Sequence, residues 1–285
     1  MRLRFNLSFL FALLMLPGPG LQAGDRPGDL VLIGGGSRPA VIMEKFIDVA
    51  GGRDALILIV PTASSLPDTG DFYIDVFKKD YDCKRVRALT LATREDADSQ
   101  KTARLVARAG GIFFAGGDQR RILDVLENTL VGEAITEAWQ SGTAIAGTSA
   151  GTACMSTPML TGDGDFDVLR ADNIVTRNGL GLVPGVILDQ HFVARQRQNR
   201  LLSLVLENPH LIGVGIDEAT AVWFRPDGTW KVLGNGWVQI YDARSARLNR
   251  ISDRDGDLLG GRQIQMHVLL PGDTFSPNIN TCKKD

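Results

Sequence analysis

The chain has 285 residues, of which 44% are hydrophobic and 22% charged. That is ample for a sizeable buried core and excludes a disordered or fibrous protein. With 31 Lys+Arg against 33 Asp+Glu the net charge is −2, so there is no basic surplus of the kind that neutralises nucleic-acid phosphates. The three cysteines are too few for a disulfide framework, and none has the CxxC spacing of a zinc site.

Arg2 and Arg4 precede an apolar run from Phe5 to Leu16, followed by Pro17-Gly18 and then by Leu21-Gln22-Ala23. This charged, apolar, small-residue order is that of a secretory signal peptide, and the run is too short to span a membrane. The expectation is therefore removal of residues 1–23, a mature chain of residues 24–285 forming one α/β domain, and a periplasmic or secreted location. In an oxidising compartment Cys83 and Cys282 are candidates for pairing, whereas Cys154, after a small-residue turn, is expected inside.

Apolar runs at Asp29–Ile33, Ala55–Val60, Val86–Leu91, Gly111–Ala115 and Thr143–Gly147 predict short buried strands. Helical spacing separates them at Val41–Ala50, Phe72–Tyr81, Gln100–Ala109 and Arg121–Trp139, the last as two pieces. Such alternation predicts an α/β fold with a mostly parallel, doubly wound sheet. Two more strands, Val186–Leu188 and Leu211–Ile216, flank a helix around Asn199–Leu206. From Ala221 to Leu270, apolar runs separated by turn clusters predict antiparallel hairpins that extend or edge the sheet.

Gly147-Thr148-Ser149-Ala150-Gly151, directly after an apolar strand, has the pattern of a nucleophile elbow. The tight turn lifts the Ser149 hydroxyl out of the sheet, and the N–H of Ala150 is placed for a developing oxyanion. Gly117, in Gly116-Gly117-Asp118-Gln119 at another strand end, is a candidate second donor. Of the three histidines, His191 in Asp189-Gln190-His191-Phe192 follows a strand end, where α/β sheets place reactive groups. His210 sits in a turn and reads as solvent-facing. Two triads compete: Ser149, His191 and Glu218, or Ser149, Asp217 or Glu218, and His267. The second follows α/β-hydrolase order, but it lacks a His-Gly-Gly-Gly motif and sets its histidine within a strand, so the first is favoured. Arg195, Arg197 and Arg200 crowd the segment after His191 and suit carboxylates, while Asp189 and Gln190 suit a cationic group. Gly34-Gly35-Gly36-Ser37-Arg38-Pro39 is like a dinucleotide loop, but Pro39 stands where the third glycine belongs, so no cofactor is expected. The acidic runs Asp163, Asp165, Asp167 and Asp253, Asp255, Asp257 do not fit the Ca²⁺ loop and read as turns, leaving no metal site.

The elbow, the Asp189–Phe192 segment with its spaced arginines, and Gly215-Ile216-Asp217-Glu218 together resemble the cyanophycinases, serine peptidases grouped with the aspartyl dipeptidases. The likeness extends from the first strand and its glycine turn to His267–Asp273. Cyanophycin is a polyaspartate whose side chains carry arginines through isopeptide bonds, so each repeat displays a carboxylate and a guanidinium. The resemblance implies cleavage of the aspartate backbone to β-aspartyl-arginine, with Ser149 as nucleophile, His191 as base and Glu218 as its orienting carboxylate. It places Gln119, Asp189, Gln190, Arg195, Arg197 and Arg200 in the substrate pocket, the arginines toward carboxylates and Asp189 toward a guanidinium. It further implies a fold like class I glutamine amidotransferases and a homodimer. Thr152 departs from the family pattern, which commonly has alanine there. Two other functions fit the same residues: a dipeptidase for short aspartyl or isoaspartyl peptides, and an inactive binding protein of the same fold.

Overall fold

The structure, a computed structural model, describes residues 26–277. The signal segment and Cys282 lie outside the described residues. Strands β1 (Leu30–Ile33), β2 (Leu56–Val60), β3 (Arg85–Ala88), β4 (Gly111–Phe114) and β5 (Ala144–Thr148) form the parallel half of an eight-stranded sheet. All but β3 are buried along their whole length, as expected for strands covered on both faces. Five helices link them: α1 (Ala40–Val49), α2 (Thr69–Asp75), and, past the single turn α3 (Arg94–Ala97), α4 (Gln100–Val106) and the pair α5 (Gln119–Leu126) and α6 (Leu130–Gln140). Side-chain oxygens of Ser99, Asp118 and Thr129 cap α4, α5 and α6, satisfying backbone N–H groups that have no partner in the first turn. The predicted helix over 72–81 begins earlier, at Thr69, and ends in a π-helical turn over Val76–Asp80.

The remaining elements are α7 (Ala150–Ala153), β6 (Met159–Gly164), β7 (Ile174–Arg177), β8 (Val186–Gln190), α8 (Gln198–Glu207), β9 (Ile212–Ile216), β10 (Thr220–Phe224), β11 (Trp230–Gly234), β12 (Val238–Asp242), β13 (Arg247–Ile251), β14 (Leu258–Arg262), β15 (Gln265–Leu269) and β16 (Thr274–Phe275). The large sheet runs β16-β11-β10-β1-β5-β4-β2-β3, with β10, β11 and β16 as its antiparallel edge. The fold class read from sequence is therefore observed: α/β, mostly parallel, with antiparallel hairpins in the C-terminal part.

One difference matters for the site. Strands β8 and β9 do not join the large sheet. They pair in parallel and, with β12 and β15, make a second sheet ordered β15-β12-β9-β8. Leu30, Leu32 and Val222 of the first sheet share one hydrophobic cluster with Leu188, Val214 and Ile240 of the second, so the two sheets meet across a dry interface. Helix α8 covers the far face of the second sheet through Leu201, Leu204 and Val205. Hairpins β6–β7 and β13–β14 were not predicted; β13 is exposed throughout, so no apolar alternation marks it.

The opposite face of the large sheet packs α1 and α2 around Phe113, whose ring lies 4.8 Å from Tyr73, 5.4 Å from Phe77 and 5.9 Å from Phe46, centre to centre. Phe113 is fully buried. Phe113→Ala is therefore expected to lower the free energy of unfolding by about 3–5 kcal/mol, read from chemical denaturation.

Candidate active site

Ser149 follows β5 directly, His191 follows β8 directly, and Glu218 lies just past β9. Each is at the carboxyl end of a parallel strand, the edge where α/β sheets present reactive groups. Ser149 has φ 54° and ψ −112°, a strained conformation for a non-glycine residue that is characteristic of an elbow. The turn closes so tightly that a Cβ on Gly147 would stand 2.1 Å from the Gly151 carbonyl oxygen. Thr152, the departure from the family pattern, is fully buried, with its hydroxyl 2.7 Å from the Ile33 carbonyl and 2.8 Å from that of Gly147. It ties the elbow to β1 and β5, and its extra polar atom is satisfied.

The three side chains form one hydrogen-bonded line. His191 Nε2 lies 2.9 Å from Ser149 Oγ, and Nδ1 lies 2.5 Å from Glu218 Oε1. A carboxylate can only accept, so Nδ1 carries the proton and Nε2 presents its lone pair to the serine hydroxyl. The Gln190 carboxamide oxygen is 3.4 Å from the same hydroxyl. The rival arrangement is not assembled. Asp217 accepts from the Val193 and Ala194 N–H groups at 3.1 and 3.0 Å, and His267 packs on Phe275 with ring centres 5.0 Å apart.

The histidine is held by a segment that the sequence assigned to nothing. The His191 N–H donates to the Gly34 carbonyl at 2.7 Å, and the Ala219 N–H donates to that of Gly35 at 2.9 Å. Gly35 has φ +116°, and a Cβ there would lie 2.3 Å from His191 Cε1 and 2.4 Å from Nε2. The glycine run after β1, like a dinucleotide loop in sequence, is the flat surface against which the imidazole rests. Its signal was three consecutive glycines at a strand end, and only the packing says what they accommodate.

The neighbouring polar residues divide into two groups. Asp189 and Arg200, expected to bind a guanidinium and a carboxylate, instead bind each other: Arg200 Nε donates to Asp189 Oδ2 at 2.7 Å, and Arg200 Nη2 donates to Oδ1. Both side chains are buried, at 0% and 2% exposure. Inside the protein each charge needs a fixed counter-charge, and this pairing corrects the substrate-facing role read from sequence. Asp189 also accepts from the Gln190 N–H at 2.7 Å, so the pair braces the end of β8 that carries His191. Arg195 is exposed beside the site. Arg197 is mostly covered, donates to the Gln190 carbonyl at 2.6 Å, and is pulled down to about 10 by burial and by the charge of Arg200. Gln119 donates its amide nitrogen to the carbonyls of Leu160 and Thr161 at 2.7 and 2.9 Å. Gly116 stands against Ser149, a Cβ there falling 3.4 Å from the serine Cβ, with Gly117 next to it. The Ala150 N–H opens α7 and has no acceptor within that helix. Cys154 is buried, which pushes its thiol up and leaves it no nucleophile. The acidic runs are engaged at the surface, Asp163 with Arg120 and Asp253 with Arg170; Asp163 lies in β6 and not in a turn.

A sequence profile described as peptidase family S51 matches residues 30–232. The chain belongs to peptidase family S51. A cyanophycinase from Synechococcus elongatus is 34% identical over 261 residues, covering 90% of this chain and 81% of that one. A cyanophycinase from Trichormus variabilis is 36% identical over 252 residues, covering 86% and 84%. Among solved structures, a peptidase from an acI-B1 actinobacterium superposes with a TM-score of 0.68 at 26% identity, covering 89% of this chain and 98% of that chain. The S51 chain described here is a serine peptidase.

Burial is the main cause that holds the His191 pKa below the usual histidine value; the charges of Arg195 and Arg197 push the same way, and Glu218 opposes them. The imidazole must be neutral to accept a proton, so kcat/KM on a small activated ester falls as pH drops through that pKa. Its acid limb is expected below the ordinary value of about 6.5. Arg195→Gln is expected to move the limb to higher pH; a pH–rate profile checks both. Gly35→Ala, which drives a methyl group into the ring, is expected to cut kcat by about a hundredfold with an unchanged circular dichroism spectrum.

Proposed function

We propose that this S51 peptidase degrades cyanophycin, cutting the polyaspartate backbone to release β-aspartyl-arginine through an acyl-enzyme on Ser149. The observation that carries the reading is the Ser149–His191–Glu218 line with the cationic Arg195 and Arg197 beside its base. Thirty-four to 36% identity to cyanophycinases over most of the chain supports it. Ser149 Oγ attacks an aspartyl carbonyl as His191 Nε2 takes its proton; His191 then protonates the leaving amine, and water releases the acyl group. Glu218 keeps the proton on Nδ1 and stabilises the imidazolium as it forms. The N–H groups of Ala150 and Gly117 receive the oxyanion, each such donor contributing about 3 kcal/mol of barrier lowering.

Arg195 and Arg197 take arginine α-carboxylates of the substrate. The Gln119 nitrogen is already engaged by two carbonyls, which leaves its carboxamide oxygen as an acceptor for a substrate guanidinium. Gln190 sits between the serine and Arg197 and lines the same pocket. The export segment of residues 1–23 suits an enzyme that meets the polymer outside the cell, and the family resemblance makes a homodimer the expected assembly.

Mature protein incubated with insoluble cyanophycin is expected to release β-aspartyl-arginine, detected by mass spectrometry, and Ser149→Ala is expected to release none while folding normally. Release from short aspartyl peptides without release from polymer would move the substrate to dipeptidase chemistry, and undiminished release by Ser149→Ala would overturn the nucleophile.

A further inference from the structure

A cleft of about 370 Å³ opens at the carboxyl ends of β2 and β3, and neither Ser149 nor His191 lines it. It lies on the same sheet edge as the nucleophile, displaced along the order β5-β4-β2-β3. Neighbouring strands are about 4.8 Å apart, so the cleft is centred roughly 12 Å from the strand that carries Ser149. The oxyanion turn connects the two places. The Asp118 N–H donates to the Ala63 carbonyl at 2.9 Å. A Cβ on Gly117 would stand 2.0 Å from that same oxygen and 2.8 Å from the Ser64 nitrogen. A chain that leaves Ser149 across Gly117 therefore passes directly onto the loop that forms the cleft wall.

The lining has a definite chemical character. Leu89, Leu91 and Val125 give a buried apolar floor, with Leu66 exposed at the rim, while Asp71, in the first turn of α2, and Arg121, on α5, supply one charge of each sign. Both of these residues are exposed. Neither side chain has a hydrogen bond or ion pair among the described residues, unlike nearby Asp118 and Arg120, which bind each other. An unpaired acid and an unpaired base over an apolar surface match a ligand that carries a guanidinium, a carboxylate and a methylene chain.

We propose that this cleft is a second subsite, which holds the β-linked arginine of a repeat about three aspartates from the scissile bond. Extended backbone advances ~3.3–3.6 Å per residue, which sets that spacing. Asp71 takes the guanidinium, Arg121 takes the α-carboxylate, and the floor takes the methylenes. The inference rests on the cyanophycin reading above and adds that the enzyme grips polymer beyond the residues it cuts.

The test compares the parent with Asp71→Asn and Arg121→Gln on cyanophycin and on a small activated ester. Each variant is expected to lose about tenfold in kcat/KM on polymer, the size of one charge-assisted hydrogen bond, with ester hydrolysis within about twofold of the parent. Parental rates on polymer from both variants would overturn the subsite and leave the cyanophycin reading intact, and parallel losses on polymer and ester would also overturn it. If the parent releases nothing from polymer, that reading fails, and calorimetric titration of β-aspartyl-arginine into Ser149→Ala decides the subsite separately. A tenfold weaker affinity on adding Asp71→Asn sustains it; an unchanged affinity, or no binding before the change, overturns it.

Discussion

The site depends on how two sheets are joined. Ser149 belongs to the large sheet, whereas His191 and Glu218 follow strands of the small one. The 2.9 Å contact between serine and imidazole therefore exists only while the sheets keep their relative position. Two backbone hydrogen bonds fasten that joint at the site itself, His191 to Gly34 and Ala219 to Gly35. Behind them, the apolar cluster shared by both sheets resists sliding, because a close-packed interior offers few alternative arrangements of similar energy. The elbow is fixed from the other side by the Thr152 hydroxyl.

Charge is organised in two tiers around this joint. Asp189 and Arg200 are buried and neutralise one another, with Arg197 a second cation 3.8 Å from Asp189, and removing Asp189 would strand the buried Arg200 charge at a cost of about 3–5 kcal/mol. Their contribution is to the shape of the β8 end, through the Gln190 N–H. Arg195 and Arg197 stand nearer to solvent and keep a positive field at the base. Burial and that field together favour the neutral imidazole, while the hydrogen bond and charge of Glu218 oppose them.

Glycine has two separate uses here. In the elbow it lets strand and helix approach within van der Waals distance; after β1 it leaves room for an aromatic ring and reaches a positive φ that other residues resist. The second use is tied to catalysis only through space. No reading of Gly34–Gly36 along the chain connects it to a histidine more than 150 positions away.

The sequence by itself determined the alternation of buried strands and amphipathic helices, the elbow at Ser149, and the choice of His191 over His267, because these rest on local periodicity, turn sterics and strand-end position. Residue identity also pointed to Glu218. The tertiary structure alone decided that β8 and β9 leave the large sheet, since a short apolar run satisfies either sheet equally well. It decided that Asp189 and Arg200 face each other and not a substrate, because spacing in the chain does not say which charges are buried together. The exposed hairpin strand Arg247–Ile251 was illegible for a related reason: it pairs with Leu258–Arg262 while all five of its residues stay exposed, so no buried face imposes an apolar alternation on its sequence.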